Sequence, residues 1–177
     1  DTIYHEHFSY FSLLSTEKIF AAHGLTVVDV EELPSHGGSL RVFAQRSDSN
    51  PSAPSQRVLK VRDDEHRGQL TTLAGYALFA EQVKETKRRL LEFLIATKRA
   101  GKSIAGYGAP GKGNTLLNYC GIRTDFLDFV VDRNPYKHGR YTPGTHIPIF
   151  APEKLAEAKP DYILILPWNL KKEIAQQ

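Results

Sequence analysis

A glycine-rich turn between two short apolar runs constrains the fold of this chain more than any other feature. The first apolar run, 104–105, breaks into the glycines Gly106, Gly108 and Gly111. A helical pattern follows and stops at Gly121, and a second apolar run, 126–131, ends in Asp132. The order of strand, tight turn, helix, strand and acid predicts an α/β unit with parallel strands.

This turn has the residues that phosphate binding needs. Glycine lacks a Cβ atom, so the backbone at Gly108 can turn sharply and a phosphate can approach it closely. The helix after the turn presents N–H groups and a positive dipole end to an anion. Lys112 adds a cation, and Asn114 adds a polar group in the first turn. The pattern is the outline of a Rossmann-type nucleotide-binding unit. The alternative is a glycine turn in an ordinary α/β sheet that binds nothing.

The rest of the pattern extends this α/β prediction. We expect a Rossmann-like parallel sheet, with helices on both faces, from strands at 104–107, 126–131 and 162–166. The strand-like run at 27–33 and the alternation at 39–46 predict an added β-hairpin, or two strands that join the edge of the sheet. A helix is predicted at 16–23, with Ser15 as its N-cap, and further helices at 152–158 and 169–177. The segment 72–99 is predicted as one long helix or as two with a break. The predicted domains are a junction segment (1–15), a helix, hairpin and linker (16–71), and the long helix with the nucleotide unit (72–177).

Composition excludes several classes of function. A net charge of +3 fits a small anionic ligand better than nucleic acid, which requires a clustered basic surface. One cysteine, Cys120, excludes an internal disulfide framework and a cysteine-only metal site. The sequence has no signal peptide or long apolar run, so we expect a cytoplasmic protein without a membrane partner. The chain begins at Asp1 and contains no Met, which predicts a segment of a longer protein.

The segment Tyr-His-Glu-His at 4–7 holds the densest set of reactive side chains. His7 or His5 can accept a proton near neutral pH, and Glu6 can fix the tautomer of a neighbouring imidazole. The Tyr4 hydroxyl can donate a hydrogen bond to a developing oxyanion. The alternative is an aromatic segment packed under the domain. Sequence spacing supplies no third ligand for a metal, so no metal site is predicted.

Two further segments are candidate ligand contacts. Ser39 and Arg41 share one face of a predicted strand after two glycines, where they could bind a phosphate or a sugar hydroxyl. The alternative there is a hairpin turn with a surface arginine. Asp132 ends a strand where an acid commonly meets a ribose hydroxyl, and Arg133 follows it. The alternative for Asp132 is a turn or cap. A loop beyond it adds Tyr141 and His146.

Six motifs in one order carry a family resemblance: Tyr-His-Glu-His (4–7), His-Gly-Gly-Ser-Leu-Arg (36–41), Gly-Tyr-Gly-Ala-Pro-Gly-Lys-Gly-Asn-Thr (106–115), Val-Val-Asp-Arg-Asn-Pro (130–135), Pro-Gly-Thr-His-Ile-Pro-Ile (143–149) and Leu-Pro-Trp-Asn (166–169). With these motifs the chain resembles the C-terminal part of the S-adenosylmethionine-dependent sugar C-methyltransferases. Members of that family act on nucleotide-linked deoxy-keto sugars. The small departure is Gly111, where members often have alanine.

The resemblance implies a function for the longer protein, which we call the parent. It implies a zinc-binding segment and an S-adenosylmethionine domain before this chain, and no cofactor in the chain itself. His7 would be the base that removes a proton beside a ketone, with Tyr4 and Glu6 next to it. The enolate would then attack the methyl group of S-adenosylmethionine. The substrate would be a nucleotide-diphosphate keto-deoxy-sugar, with its diphosphate at the glycine turn and Lys112.

Two other functions remain open from the sequence. The first is an NAD(P)-dependent reductase that uses the glycine turn for pyrophosphate and Asp132 for ribose. The second is a non-catalytic Rossmann-like module that serves only assembly. A dinucleotide would bind tightly in the first case, and no ligand would bind in the second.

Overall fold

The structure is a computed structural model that describes residues 8–176. The described part divides into two compact units, Phe8–Gln82 and residues 83–176. The long helix α3 (Leu73–Arg99) begins in the first unit and ends in the second. The motif at 4–7, with its candidate residues Tyr4, Glu6 and His7, lies outside the described residues.

The first unit is a β-hairpin covered by two helices. Strands β1 (Leu25–Leu33) and β2 (Ser39–Arg46) pair antiparallel, which confirms the predicted hairpin. Helices α1 (Leu13–Ala22) and α2 (Gln56–Arg67) flank it in sequence. All four elements contribute side chains to one core cluster, and its buried members are Leu13, Val27, Val30, Val58 and Val61.

A β-bulge decides which side chains of β1 reach this core. The register shifts between Val27 and Asp29, so Val28 has no partner residue on β2. Residues three apart on a regular strand point to opposite faces. The extra residue reverses the alternation, and Val27 and Val30 are therefore both buried against the helices.

Helix α1 begins three residues before the predicted start, and the carboxylate of Glu65 explains why. The backbone N–H groups of Leu13 and Leu14 donate to Glu65 Oε1 and Oε2 at 2.6 and 2.8 Å. The N–H of Ser15 donates to Ser12 Oγ at 3.1 Å. Ser12 is thus the N-cap, and the prediction that Ser15 caps the helix was wrong. An acid from α2 supplies the acceptors that local sequence lacks.

The second unit contains a parallel sheet with strand order β5-β4-β3-β6 within the described residues. Its strands are β3 (Ile104–Tyr107), β4 (Val130–Val131), β5 (Ile149–Phe150) and β6 (Tyr162–Ile165). Helices α4 (Gly111–Cys120), α5 (Lys154–Ala158) and α6 (Lys171–Ile174) lie between and after the strands in sequence. The α/β fold class with a parallel sheet is confirmed.

Alternation along β3 shows that apolar clusters lie on both faces of this sheet. Ile104 belongs to a core cluster with Leu94 of α3 and Leu117 of α4. The next residue, Ala105, belongs to a different cluster, against which Leu155 of α5 packs. Because successive residues of a strand point to opposite faces, helices cover both sides of the sheet.

The sequence overestimated one strand and missed another. Of the predicted strand 126–131, only Val130–Val131 forms β4. Phe126 and Leu127 donate their N–H groups to Arg123 O at 3.0 Å, so they form a turn although Leu127 is fully buried. The missed strand, β5, has only two residues, too few to show alternation.

Candidate functional site

The glycine turn lies at the carboxyl end of β3, between the ends of β4 and β6. Gly108 adopts φ +83°, and a Cβ atom there would lie 2.6 Å from Pro167 Cδ, in the segment after β6. A Cβ at Gly113 would lie 3.0 Å from Leu166 Cβ. The turn and the start of α4 therefore pack directly on residues 166–167, which only glycine permits at Gly108.

Three residues fix the backbone of the turn, and we call them the Ala109 clamp: Ala109, Asp132 and Lys137. The N–H of Ala109 donates to Asp132 Oδ2 at 2.7 Å. Lys137 Nζ donates to the Ala109 carbonyl at 3.1 Å and to Asp132 Oδ2 at 2.9 Å. The other oxygen, Asp132 Oδ1, accepts from the N–H of Asn134 at 2.8 Å. Both polar backbone groups of Ala109 are thus held by residues that follow β4.

The charge of Asp132 suits this role. Burial raises the pKa of its carboxyl group, but hydrogen bonds from Lys137 and from two backbone N–H groups lower it by more. The net pKa lies below the usual value, so Asp132 stays ionised well below neutral pH. Asp132 was predicted to bind a ribose hydroxyl, but its carboxylate already accepts three hydrogen bonds from the protein.

The beginning of α4 can receive an anion. Its N-cap residue, Pro110, makes no side-chain capping bond within residues 8–176. Because α4 begins shortly after β3 ends, the N–H groups of its first turn lie at the carboxyl end of the sheet, at the positive end of the helix dipole. Lys112 Nζ lies 5.9 Å from the centre of the Trp168 ring, which follows β6. Phosphate groups are suited to such a combination of dipole and cation.

Two amide oxygens near this edge lack hydrogen-bond partners. Asn114 Oδ1, in the first turn of α4, and Asn169 Oδ1, next to Trp168, are buried and accept no hydrogen bond from the described residues. Leaving a buried acceptor unpaired costs about 1–3 kcal/mol. Both can accept from an N–H or O–H group, and neither would accept from an ionised phosphate.

Residues 34–177 match the family described as the C-methyltransferase C-terminal domain. The chain belongs to this family. Over 174 residues it is 40% identical to C-methyltransferase NovU from Streptomyces niveus, an alignment that covers 98% of this chain. The chain spans 41% of the length of that relative.

Within this C-methyltransferase C-terminal domain, the predicted site residues that the structure describes divide into three groups. Gly108, Lys112, Asn114, Asp132 and Arg133 all lie at or next to the carboxyl edge around the glycine turn. Arg133 is exposed there. The second group, Ser39 and Arg41, belongs to the first unit.

Local contacts satisfy the two residues of the hairpin. Arg41 donates to Glu31 Oε2 across the strands at 3.0 Å, and both side chains are partly exposed. Ser39 Oγ donates to the carbonyl oxygen of Ser35 at 3.0 Å, within the hairpin turn. The role of Ser39 and Arg41 as ligand contacts stays a prediction.

The third group, Tyr141 and His146, lies toward the opposite edge of the sheet. The loop that carries them precedes β5, which runs parallel to β4. Its tight turn contacts α4 near the end of the helix, where Asn118 Nδ2 donates to Pro143 O at 2.9 Å. The structure therefore does not bring Tyr141 and His146 to the glycine turn.

The sequence prediction missed three side chains of this edge: Lys137, Trp168 and Asn169. Lys137 ends a short 3-10 turn that Pro135 begins, five residues after the strand-end acid. Trp168 begins another such turn directly after β6. A search for polar or aromatic residues shortly after every predicted parallel strand would have selected all three, since such strand ends meet at one edge.

The described residues limit two other kinds of site. In residues 8–176, no group of three or more His, Cys, Asp or Glu side chains could hold a metal ion. Across the same range, no helix combines the length and the apolar character needed to cross a membrane.

Proposed function

We propose that this chain is the nucleotide-sugar-binding part of an S-adenosylmethionine-dependent C-methyltransferase. The parent would methylate a carbon next to a ketone in a nucleotide-linked deoxy-sugar. Family membership supports methyl transfer to carbon. The observation that carries the binding role is the glycine turn at the carboxyl end of β3, which the Ala109 clamp fixes and which leads into the start of α4 with Lys112 in its first turn.

The first turn of α4 would hold the diphosphate of the substrate. Its backbone N–H groups donate to phosphate oxygens, and Lys112 adds a charge-assisted hydrogen bond. Because the Ala109 clamp fixes the turn before the ligand arrives, little backbone ordering is needed on binding. The part of the nucleotide-sugar beyond the diphosphate would lie along the same edge.

The residues described here do not fit S-adenosylmethionine. In nucleotide-binding units of this kind a strand-end acid holds the ribose. The corresponding Asp132 already accepts from two backbone N–H groups and from Lys137. We therefore assign the methyl donor, and the zinc-binding segment, to other parts of the parent. The same engagement of Asp132 removes support from the NAD(P)-dependent reductase.

Proton abstraction is the chemical step that we assign to the chain itself. His7 would take the proton from the carbon beside the ketone, since an unperturbed imidazole titrates near neutral pH. Tyr4 would donate a hydrogen bond to the enolate oxygen that forms, and Glu6 would orient the imidazole. These three assignments rest on the resemblance of the motif at 4–7.

A thermal-shift series tests the binding role. The chain is heated with thymidine diphosphate-sugar, NADH, NADPH or S-adenosylmethionine. We expect the nucleotide-sugar to raise the melting temperature in a concentration-dependent way, since a ligand that binds only the folded state stabilises it. Stabilisation by NADH or NADPH alone would support the reductase. If no compound shifts the transition and calorimetry with the other nucleoside diphosphates shows no binding, the module serves assembly and the proposal fails.

A further inference from the structure

Trp168 occupies a position that the proposed function does not yet use. It is the only tryptophan in the chain and is 46% exposed. Pro167, directly before it, packs on Gly108 of the glycine turn. Lys112, which we assign to the diphosphate, has its Nζ 5.9 Å from the centre of the indole ring. A large, half-exposed aromatic ring thus lies next to the phosphate-binding helix start.

We propose that Trp168 is the stacking platform for the nucleobase of the bound nucleotide. The inference rests on the proposed function, because it assigns the base of the same nucleotide-sugar. A nucleotide whose phosphates lie at the start of α4 and Lys112 brings its base within reach of the neighbouring indole. Stacking on an aromatic side chain suits every base, since every base has a π-face.

The segment around Trp168 is held in place before any ligand binds. Trp168 begins a 3-10 turn that extends to Leu170, whose N–H donates to the Pro167 carbonyl at 2.8 Å. On the N-terminal side of Trp168, the contact between Pro167 and Gly108 fixes the segment. A pre-positioned ring loses little conformational freedom on binding, which favours stacking.

Two unpaired amide oxygens near the ring favour a ligand with hydrogen-bond donors over a phosphate alone. Asn169 Oδ1 belongs to the residue after Trp168, and Asn114 Oδ1 lies one turn into α4. Each is an acceptor that requires an N–H or O–H donor. An ionised diphosphate has no such donor, whereas a base has N–H groups and a sugar has hydroxyl groups.

Tyr136 is the competing platform and provides the matched control. It follows β4, on the other side of β3 from Trp168, and is 83% exposed. Its neighbours are the clamp residues Asp132 and Lys137, whose polar groups already have partners. Trp168 has both the adjacent cation and the adjacent unpaired acceptor, so we assign the base to Trp168.

Fluorescence and calorimetry test the proposal on the whole chain. Thymidine, uridine, guanosine, cytidine and adenosine diphosphates are titrated, with pyrophosphate and ribose 5-phosphate as ligands that lack a base. We expect the best nucleotide to quench the single tryptophan saturably, with the same Kd as in calorimetry. Trp168→Leu should weaken that nucleotide by about tenfold, the size of one base-aromatic stack. It should leave the affinity for pyrophosphate within about twofold, which is below 1 kcal/mol.

Two further variants make the result decisive. Trp168→Phe keeps an aromatic ring and should retain most of the nucleotide affinity, whereas Tyr136→Leu should leave it unchanged. If Trp168→Leu spares the nucleotide, or if Tyr136→Leu removes the preference for it, the platform is elsewhere and the inference fails while the proposed function stands. If Trp168→Leu weakens pyrophosphate equally, Trp168 is only structural. If wild-type chain binds none of these ligands, the proposed function fails with it.

Discussion

At the scale of single residues, Lys112 and Asp132 have opposite relations to the ligand. Lys112 lies in the first turn of α4, where we propose that its charge meets the diphosphate. Asp132 is buried, and its carboxylate accepts the backbone N–H of Ala109 in the glycine turn. Substitution of Lys112 should therefore change ligand affinity with little effect on the free energy of unfolding. Substitution of Asp132 should mainly lower the free energy of unfolding.

Lys112→Ala should weaken binding of thymidine diphosphate-sugar by about 1–3 kcal/mol, the size of a lost charge-assisted hydrogen bond. Calorimetry measures the change. Lys18→Ala is the matched control, because it removes the same charge from an exposed position in the other unit. Unchanged affinity in Lys112→Ala would move the diphosphate to another site.

Asp132→Asn should lower the free energy of unfolding by about 1–3 kcal/mol at neutral pH, since a neutral amide cannot accept all three hydrogen bonds. The lowered pKa of Asp132 sets the pH dependence. Its contribution is complete above the usual aspartate pKa of about 3.9 and is lost as pH falls through the lowered value. The difference between wild type and variant should therefore shrink in acid.

Chemical denaturation at several pH values measures this difference. Asp29 and Asp161 also have lowered pKa values, through hydrogen bonds led by Arg57 and Lys102 respectively. Both groups are present in wild type and variant, so their contributions cancel in the comparison. A difference that stays constant from neutral to strongly acidic pH would show that the charge of Asp132 is unimportant.

At the scale of elements, the glycine turn depends on one close contact. Gly108→Ala should lower the free energy of unfolding by more than the roughly 1–2 kcal/mol that a left-handed backbone costs alanine, because its Cβ would also meet Pro167. Gly139→Ala is the control: φ there is +72°, and no described atom lies within 4 Å of the added Cβ. Equal losses in a denaturant titration would mean that the contact with Pro167 does not matter.

The elements also show what the sequence could predict and what it could not. The glycine turn, the long helix and the hairpin follow from local patterns, and the structure contains all three. The Ala109 clamp joins residues that are 28 positions apart, so no local pattern contains it. The bulge at Val28 was equally hidden, because the pairing of β1 with β2 and the packing of Val27 and Val30 involve residues elsewhere in the chain.

The sequence could predict those site residues that come shortly after the end of a predicted strand. Gly108, Lys112 and Asp132 were selected because a turn or an acid after a strand is visible in sequence. The sequence could not show that Asp132 is engaged by Lys137, since that depends on how the short turn at Pro135–Lys137 folds back. It also left Trp168 as a motif residue without a role.

At the scale of the whole molecule, we propose that this chain binds the nucleotide-sugar and that other parts of the parent bind the methyl donor. The 177-residue chain alone should not methylate, because we assign the methyl donor to other parts of the parent and Asp132, the strand-end acid among residues 8–176, is engaged by the Ala109 clamp. The assay supplies the chain with S-adenosylmethionine and a nucleotide-linked keto-sugar and follows the product by mass spectrometry. Turnover above a denatured control would contradict this division.

His7→Ala in the parent should reduce turnover by roughly a hundredfold or more while substrate affinity stays near normal, as loss of a general base requires. His5→Ala is the control two residues away. Exchange of the substrate's acidic hydrogen with deuterated solvent separates the two: it should persist in His5→Ala and disappear in His7→Ala. The reverse pattern would make His5 the base, and exchange in both variants would place the base outside the motif.

The carboxylate of Glu65 links two helices that are far apart in sequence. It accepts from the first N–H groups of α1 across a separation of 52 residues. Until α2 has formed and docked, those N–H groups lack the acceptors that complete the helix start. The amides of Leu13 and Leu14 should therefore exchange with solvent deuterium only when α2 detaches, so their protection reports a cooperative opening of both helices and not local fraying. During folding, the N-terminal helix α1 is therefore completed only after α2, which lies about 50 residues later in the chain, has formed and docked.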